Sequence, residues 1–328
     1  MILTTRDRLL ELLADGAVHS GEALAATLGM SRAAVWKQLQ RLGDWGVDVE
    51  AVPGRGYRLQ APFRLLDRDE VLDAVPDGLR HLLADIEVHR LIDSTNRYLM
   101  EAARDPADRP ARACLAEHQT AGRGRRGRQW QSPFGANIYL SLRWQFADTP
   151  VDLSALALMV GVVIAEELER IGVASPGLKW PNDLVWQGRK LGGILIELHG
   201  EAGGACDVVI GTGLNISMPR TTADAIDQPW VDLEEILGDR RPSRSRLAGK
   251  LTAGLIEAIG QFQREGFAPF ASRWQRLDLL AGKPVRLEQQ GQLIDGVAAG
   301  VDADGALRLE VDGSVRRFLA GDVSLRAR

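Results

Sequence analysis

Cysteine is almost missing from this sequence: 328 residues carry two, Cys114 and Cys206. Two cysteines cannot build a disulfide framework, and both sit in apolar, strand-like runs, so they read as reduced core residues of a cytoplasmic chain. Histidine is nearly as sparse, five in all, and their scatter matches no metal-ligand spacing. No apolar stretch is long enough to span a membrane. The longest, "LSALALMVGVVIA" from Leu153 to Ala165, is bounded by Asp152 and Glu166 and reads as a buried helix. The N-terminus interrupts its apolar pattern with Arg6, Asp7 and Arg8 and has no small-residue cleavage site, so no export signal is expected. Internal repeats and low-complexity tracts are also lacking. A formal net charge of −4 excludes a chain coated in nucleic acid but leaves room for a local basic surface. What is present, 45% hydrophobic and 26% charged residues, is the composition of a globular protein, and the length predicts two or three domains.

Residues 1–63 predict three helices and a hairpin. "TRDRLLELLADG" sets Leu9, Leu10, Leu12 and Leu13 at helical spacing and stops at Gly16. Ser20 is placed to cap a second helix that ends at Gly29, and Ser31 a third with Val35, Leu39 and Leu42 on one face. The tight turn between the last two helices is that of a helix-turn-helix. "VDVEAVPGRGYRL" then alternates around a Pro-Gly turn, which completes a winged unit. Seven basic and seven acidic residues in the first sixty leave no net charge, yet nothing between Ala23 and Gly43 is acidic. Phosphate contacts need local cations rather than a basic domain. Ser31, Arg32, Trp36 and Lys37 at the third helix, with Arg55 on the wing, are the expected DNA contacts; a small helical interaction module with ordinary solvated arginines is the alternative.

A linker is expected around Pro62. Residues 64–278 then alternate strand-like runs ("DIEVHRLI", "ARACLAEH", "NIYLSLRW", "GGILIEL", "CDVVIGTGLNIS") with helical ones ("TNRYLMEAAR", Asp152–Ile171, "SRLAGKLTAGLIEAIGQFQREG"). Several strands follow one another through short turns, so the sheet should be mixed. Residues 279–328 are short alternating strands broken by "QQGQ", "DADG" and "VDG", a small β-barrel or sandwich. The fold class is thus α+β with three domains. The apolar helices from Asp67 onward are expected to complete the central sheet by themselves, so removal of residues 1–63 should leave it folded.

"AGRGRRGRQW", Ala121 to Trp130, concentrates four arginines and three glycines with no acid. Its Gly122–Gly124–Gly127 spacing fits G-x-G-x-x-G, but Pro133 and Gly135 stand where a dinucleotide-binding fold requires a helix. A repeated, disordered RNA-binding tract fits equally poorly between two confident strands. An exposed basic loop is the bland alternative. Arg forks on a glycine backbone suit a polyphosphate, because guanidinium groups supply bidentate donors and glycines let N–H groups approach. Such a loop should be mobile until a ligand orders it. "LKWPNDLVWQGRKLGGILIE" reads as a hairpin turning at Gln187-Gly188 with Lys179 and Lys190 on its arms, and the Trp180-Pro181 pair as a stiff turn. "IDSTNRYL" runs from strand into helix, where Ser94 or Thr95 can cap. Hydroxyls, paired lysines and an Arg loop in one unit suggest an anionic, phosphorylated ligand.

Taken in order, "DSTN", "QTAGRGRRGR", "KWPNDL", "RKLGGIL" and "GTGLNIS", behind "SGEALAATLGMSRAAVWK" and "VPGRGY", closely resemble bacterial biotin–protein ligases of the bifunctional class, over essentially the whole chain. "HQT" before the loop and "GG" in "KLGGIL" are mild variants of the family pattern. The resemblance implies a central domain of the class II synthetase/biotin-ligase type and an SH3-like C-terminal barrel. It implies a cytoplasmic enzyme that uses ATP, Mg²⁺ and biotin to make biotinyl-5′-AMP and passes biotin to a lysine of the biotin carboxyl carrier protein of acetyl-CoA carboxylase. It also implies repression of biotin synthesis at an operator, as a homodimer assembled on the adenylate. Carried over residue by residue, the catalytic cations are Arg123, Arg125 and Lys190, with Lys179 and Asp183 close to the reacting centre. Ser94, Thr95, Asn96, Gln119 and Gly124, together with those three cations, match biotin-site positions. Arg126, Arg128, Asn182, Asn215 and Trp230 match positions that serve ATP, pyrophosphate or the adenylate. Two rivals remain at this stage: a regulator whose ligase domain only senses biotin, and a lipoate-type ligase with an unrelated N-terminal domain.

Overall fold

The computed structural model describes residues 4–59, 63–102, 109–146, 153–200, 206–219, 226–289, 291–319 and 323–327. Pro62 in the expected linker and Asp152 at the expected start of the central helix lie outside the described residues.

The N-terminal unit follows its capping signals. Helix α1 (Thr5–Leu13) opens on a capping box between Thr4 and Asp7. Helix α2 (Gly21–Leu28) is capped by Ser20 and ends on Gly29 in the left-handed region (φ 64°). Helix α3 (Arg32–Leu42) is capped by Ser31. Strands β1 (Val49–Val52) and β2 (Gly56–Leu59) pair antiparallel as the wing. Leu9, Leu10, Leu13, Leu24, Val35, Leu39 and Leu42 form the expected core, but Phe134 from the central body belongs to it too. The Phe134 ring stacks on Trp45 (centroids 5.7 Å apart) and meets Phe63 edge-on (5.6 Å). The unit is therefore keyed into the central body, and the expectation that the rest folds indifferently to it changes accordingly. A polar joint adds to this: Arg90 lies 3.7 Å from Asp7 and 3.5 Å from Glu11 of α1, and 3.4 Å from the fully buried Glu117.

The central body is a seven-stranded mixed sheet. Its strands are β3 (Leu83–Ile92), β4 (Ala111–Gln119), β5 (Ile138–Phe146), β6 (Gly177–Lys179), β7 (Asp183–Trp186), β8 (Arg189–Gly200) and β9 (Cys206–Leu214). They run in the order β3-β4-β5-β9-β8-β7-β6, with only β3 and β4 parallel. Short helices α4 (Arg68–Asp73) and α5 (Asp77–Arg80) lead in. Helix α6 (Thr95–Glu101) makes the β3-to-β4 crossover and packs Leu99 on Cys114 and Val209. The long helices cover the opposite face: α7 (Leu153–Arg170), α9 (Arg244–Glu265), which follows the short α8 (Leu233–Leu237), and α10 (Ala268–Leu277). The apolar run from Leu153 is indeed buried, with Leu156, Leu158, Met159, Val160 and Ile164 wholly inaccessible.

One local expectation is corrected. Lys179 lies on β6, a separate strand, and not on an arm of the Gln187-Gly188 hairpin, whose arms are β7 and β8. The cis Trp180–Pro181 bond lies in the turn between β6 and β7. Proline brings no N–H to a ladder, so the strand breaks there. The C-terminal strands β10 (Pro284–Gln289), β11 (Gln292–Val301), β12 (Leu307–Val311), β13 (Ser314–Phe318) and β14 (Val323–Ala327) form one antiparallel sheet. Its order, β13-β12-β11-β10-β14, is consistent with an SH3-like barrel. Its inward row, including Val285, Leu287, Ala298 and Leu309, merges with the central core.

Candidate active site

The candidate site lies where β8 and β9 run side by side beneath the start of α6 and the Arg loop. At the β3–α6 junction Ser94 takes the cap, accepting from Arg97 N at 3.5 Å. Thr95 is thereby left to work sideways: its N and Oγ1 donate to Gln119 Oε1 at 2.9 and 3.1 Å. The Ser141 hydroxyl, on β5, lies 2.7 Å from Thr95 Oγ1 and 2.5 Å from Asn96 Oδ1. Asn96 Nδ2 donates to Glu197 Oε2 at 2.8 Å and to the Leu195 carbonyl at 3.4 Å. The Asn96 side chain fills the space over Gly211, where any Cβ would collide with it.

The Arg loop is built as a closed hairpin. Trp130 N donates to Gly122 O at 2.9 Å, Gly124 N to Arg128 O at 2.7 Å, and Arg123 and Gln129 form a bridge between them. At its tip Arg126 and Gly127 are left-handed (φ 57° and 70°), a conformation that costs a non-glycine residue on the order of 1–3 kcal/mol. The arginines consequently point different ways. Arg123 Nη2 donates to Glu197 Oε2 at 3.0 Å, and Arg125 Nη1 to Asn182 Oδ1 at 3.3 Å. Arg126 turns away toward Glu288 of β10, 4.0 Å off, and Arg128 lies exposed on the returning arm. Two of the four thus reach partners in the site, Arg126 turns away, and Arg128 stays exposed.

A second cationic corner comes from β6, β7 and β8. Lys179 is the cross-strand neighbour of Asp183, which is in turn that of Gly193. Lys190 Nζ lies 2.6 Å from Asp183 Oδ1 and 5.5 Å from the centroid of the Trp130 ring. Asn182 Nδ2 donates to Ile194 O at 2.7 Å, which fixes the oxygen that meets Arg125. Lys190 N donates to Pro229 O (2.9 Å) and Val231 N to Lys190 O (3.0 Å), placing Trp230 beside Lys190. Asn215 Nδ2 reaches Val231 O and Lys190 O at 3.1 and 3.4 Å.

Two buried polar atoms in this corner, Trp130 Nε1 and Asn215 Oδ1, have no hydrogen-bond partner among the described residues. An unsatisfied buried group costs about 1–3 kcal/mol, so both suit a ligand that brings a donor and an acceptor. His118, next to Gln119, has its pKa lowered by burial, partly opposed by its 2.6 Å hydrogen bond to the Ser132 carbonyl. Burial pushes the Cys114 thiol up, as befits an inert core cysteine. Chemically, cations presented by fixed partners can stabilise negative charge developing at phosphate. Among the described residues no group of three His, Cys, Asp or Glu is placed to hold a metal ion.

Sequence reasoning missed Trp130, Ser141, Ser132 and Glu197. Trp130 gains a signal only once the strands are in register. Gly193 and Gly213 are register partners on β8 and β9, and glycines facing each other in interior strands leave room for a flat group. Glu197 had none, since in "ILIELHG" it is one polar residue of an alternating strand.

The expected DNA contacts lie apart from this site, on the outer side of α3 and at the wing tip. Ser31 is the cap of α3 (Ala34 N to Ser31 Oγ, 3.2 Å), and Arg32 pairs with the equally exposed Glu22 at 3.2 Å. Trp36 is 45% exposed, with its ring 6.0 Å from that of Tyr57 on β2. Lys37 and Arg55 are exposed.

Residues 88–215 match the biotin/lipoate A/B protein ligase family, residues 5–58 an HTH domain, and residues 281–326 the biotin protein ligase C terminal domain. The chain is 46% identical to the bifunctional ligase/repressor BirA of Salmonella typhimurium, covering 97% of each chain. It is 44% identical to BirA of Escherichia coli, covering 98% of this chain and 97% of that one. Among solved structures, it resembles the biotin protein ligase from Aquifex aeolicus in complex with biotin and ATP, with a TM-score of 0.64 and 27% identity over 74% of this chain and 99% of that one.

Proposed function

The chain belongs to the bifunctional biotin ligase/repressor family, and from that premise we propose how its site performs the ligase chemistry and how the bound intermediate serves repression. The protein is an ATP-dependent biotin–protein ligase and a DNA-binding repressor. In the first step a biotin carboxylate oxygen attacks the α-phosphorus of ATP, pyrophosphate leaves, and biotinyl-5′-AMP forms. The carboxylate is already ionised at neutral pH, so the step needs no general base. It needs cations that offset anion–anion repulsion and meet the charge developing on phosphate. Arg123, Arg125 and Lys190 supply these, and Arg128 assists the departing pyrophosphate. The observation that carries this reading is the pairing of each of the three with a fixed partner, Glu197, Asn182 and Asp183.

Biotin lies against the α6 junction, where Ser94, Thr95, Gln119 and the Gly124 backbone meet its ureido ring. Asn96, whose amide is engaged at both ends, shapes that pocket. Trp230 and Asn215 take the adenine and ribose side, where the unpartnered Asn215 oxygen fits a ligand donor. Magnesium enters with ATP, since such ions are held by substrate phosphates with only one or two carboxylates. In the second step the carrier lysine's amine attacks the anhydride carbonyl, AMP leaves, and Asp183 takes the proton, with Lys179 beside it. The acceptor is the carboxyl carrier protein of acetyl-CoA carboxylase.

Repression uses the same intermediate. One winged unit reads one half-site, so binding of the operator of biotin-synthesis genes requires two copies. Biotinyl-AMP further restricts ligand loops whose arms are already tied to the pocket, and so lowers the entropy cost of dimer assembly. Plentiful carrier consumes the adenylate and lifts repression. The test is a single mixture of protein, biotin, ATP and carrier domain, followed by operator titration. A labelled carrier lysine and adenylate-dependent operator binding are expected; an unlabelled carrier refutes the ligase reading, and operator affinity indifferent to adenylate refutes the coupling.

A further inference from the structure

We propose that Glu197 is a positioning residue for adenylate formation, holding Arg123 over the site; this rests on the ligase reading above. The bridge to Gln129 holds the Arg123 backbone, but its side chain is 43% exposed and the bridge does not aim the guanidinium. Glu197 supplies the direction. Its Oε2 accepts from Arg123 Nη2 at 3.0 Å and from Asn96 Nδ2 at 2.8 Å. Among the described residues Nη2 alone of its nitrogens is engaged, which leaves Nε and Nη1 to face an anionic ligand.

The contact is one link in a hydrogen-bonded ring. From Arg123 it passes through Glu197, Asn96, Ser141 and Thr95, whose backbone N–H reaches Gln119, and on through Ser132 to the Trp130 carbonyl, with links of 2.5 to 3.2 Å. It begins and ends on the Arg loop, crossing β8, α6, β5 and β4 on the way. The two arms of the loop are thereby tied to the biotin pocket, and Glu197 is the member that ties the first arm. Electrostatics alone argues against a carboxylate beside a site for anions, because it adds repulsion. Its role is therefore orientation, and an uncharged acceptor of the same shape should replace it.

The test compares Glu197→Ala and Glu197→Gln with the full-length chain, each also in an Arg123→Ala background. In single-turnover adenylate formation Glu197→Ala should be about 30- to 100-fold slow, the scale of a reacting group displaced by about 1 Å. Glu197→Gln should remain within about fivefold. In the Arg123→Ala background, Glu197→Ala should add less than about fivefold, the remainder carried by its contact with Asn96, since it acts chiefly through Arg123. Trypsin cutting at Arg123 to Arg128 without ligand, assayed well below the Tm of both proteins, should be about tenfold faster in Glu197→Ala, as expected when a charge-assisted hydrogen bond is lost. Multiplicative losses in the double variant, or unchanged cutting of the loop, overturn the proposal. Wild-type protein that makes no adenylate, while its loop still depends on Glu197, sinks the ligase reading instead.

Discussion

Replacing Gly213 by alanine puts a methyl group where the Trp130 ring lies. A Cβ there would stand 2.5, 2.6 and 2.7 Å from Cε2, Cζ2 and Nε1 of that ring. Carbon atoms in contact prefer roughly 3.5–4.0 Å, so one side must retreat by about 1 Å. Strand β9 cannot, because it is laddered to β5 on one side and β8 on the other. The ring moves, and with it the returning arm of the Arg loop and the cation–π contact to Lys190. Displacing a positioned group by about 1 Å costs on the order of 100-fold in rate. Overpacking costs about 1–3 kcal/mol of stability. Gly193→Ala is the internal control, since its Cβ meets the ring only at 3.3 Å. Pyrophosphate release and thermal unfolding should rank wild type, then Gly193→Ala, then Gly213→Ala, with the activity gap far exceeding the stability loss. Gly213→Ala adenylating within a few-fold of wild type would refute the placement of Trp130 on the site floor.

Lys190→Ala removes the cation that sits 2.6 Å from Asp183 and should slow adenylate formation by about 100-fold or more; pyrophosphate release within a few-fold of wild type contradicts the role. Deleting residues 1–63 uncovers Phe134 and Leu65 and strips Arg90 of Asp7 and Glu11. It should abolish operator binding and destabilise the remainder by about 3–6 kcal/mol, two large apolar side chains' worth, and a truncated protein that melts with the full-length chain tells against the shared core. Tyr98 is pushed up to about 12 by its hydrogen bond to Glu87, with burial adding to the shift. Above pH 10 the unfolded chain therefore loses this proton first, so stability falls between about pH 10 and 12; denaturant titrations should show a steeper fall in wild type than in Tyr98→Phe, where the buried Cys114 and Tyr139 still contribute.

The helix caps were legible because capping is local chemistry: Ser20, Gly29 and Ser31 each needed only their neighbours. Strand alternation likewise located β3, β4, β5, β8 and β9. Contacts that depend on pairing were not legible. Trp130 over Gly213 follows from the register of β8 on β9, and Phe134 in "SPFG" reads as part of a turn until Trp45 and Phe63 surround it. The four arginines of the loop look equivalent in sequence. The left-handed turn at Arg126 separates them, sending Arg123 and Arg125 to the site and Arg126 to Glu288. Lys179 was misplaced because two turns share a short stretch and the second, at Gln187-Gly188, carries the stronger signal.

The central claim is that the loop from Arg123 to Trp130 cradles the phosphate of an acyl-adenylate. Its most direct test is incubation of the purified chain with biotin and ATP, following biotinyl-AMP by mass and pyrophosphate by coupled assay, with octanoate and lipoate as competing acids. One biotinyl-AMP per active site, with matching pyrophosphate and no acyl-AMP from either competitor, is the expected result. No biotinyl-AMP, or preferential adenylation of octanoate or lipoate, would contradict the account.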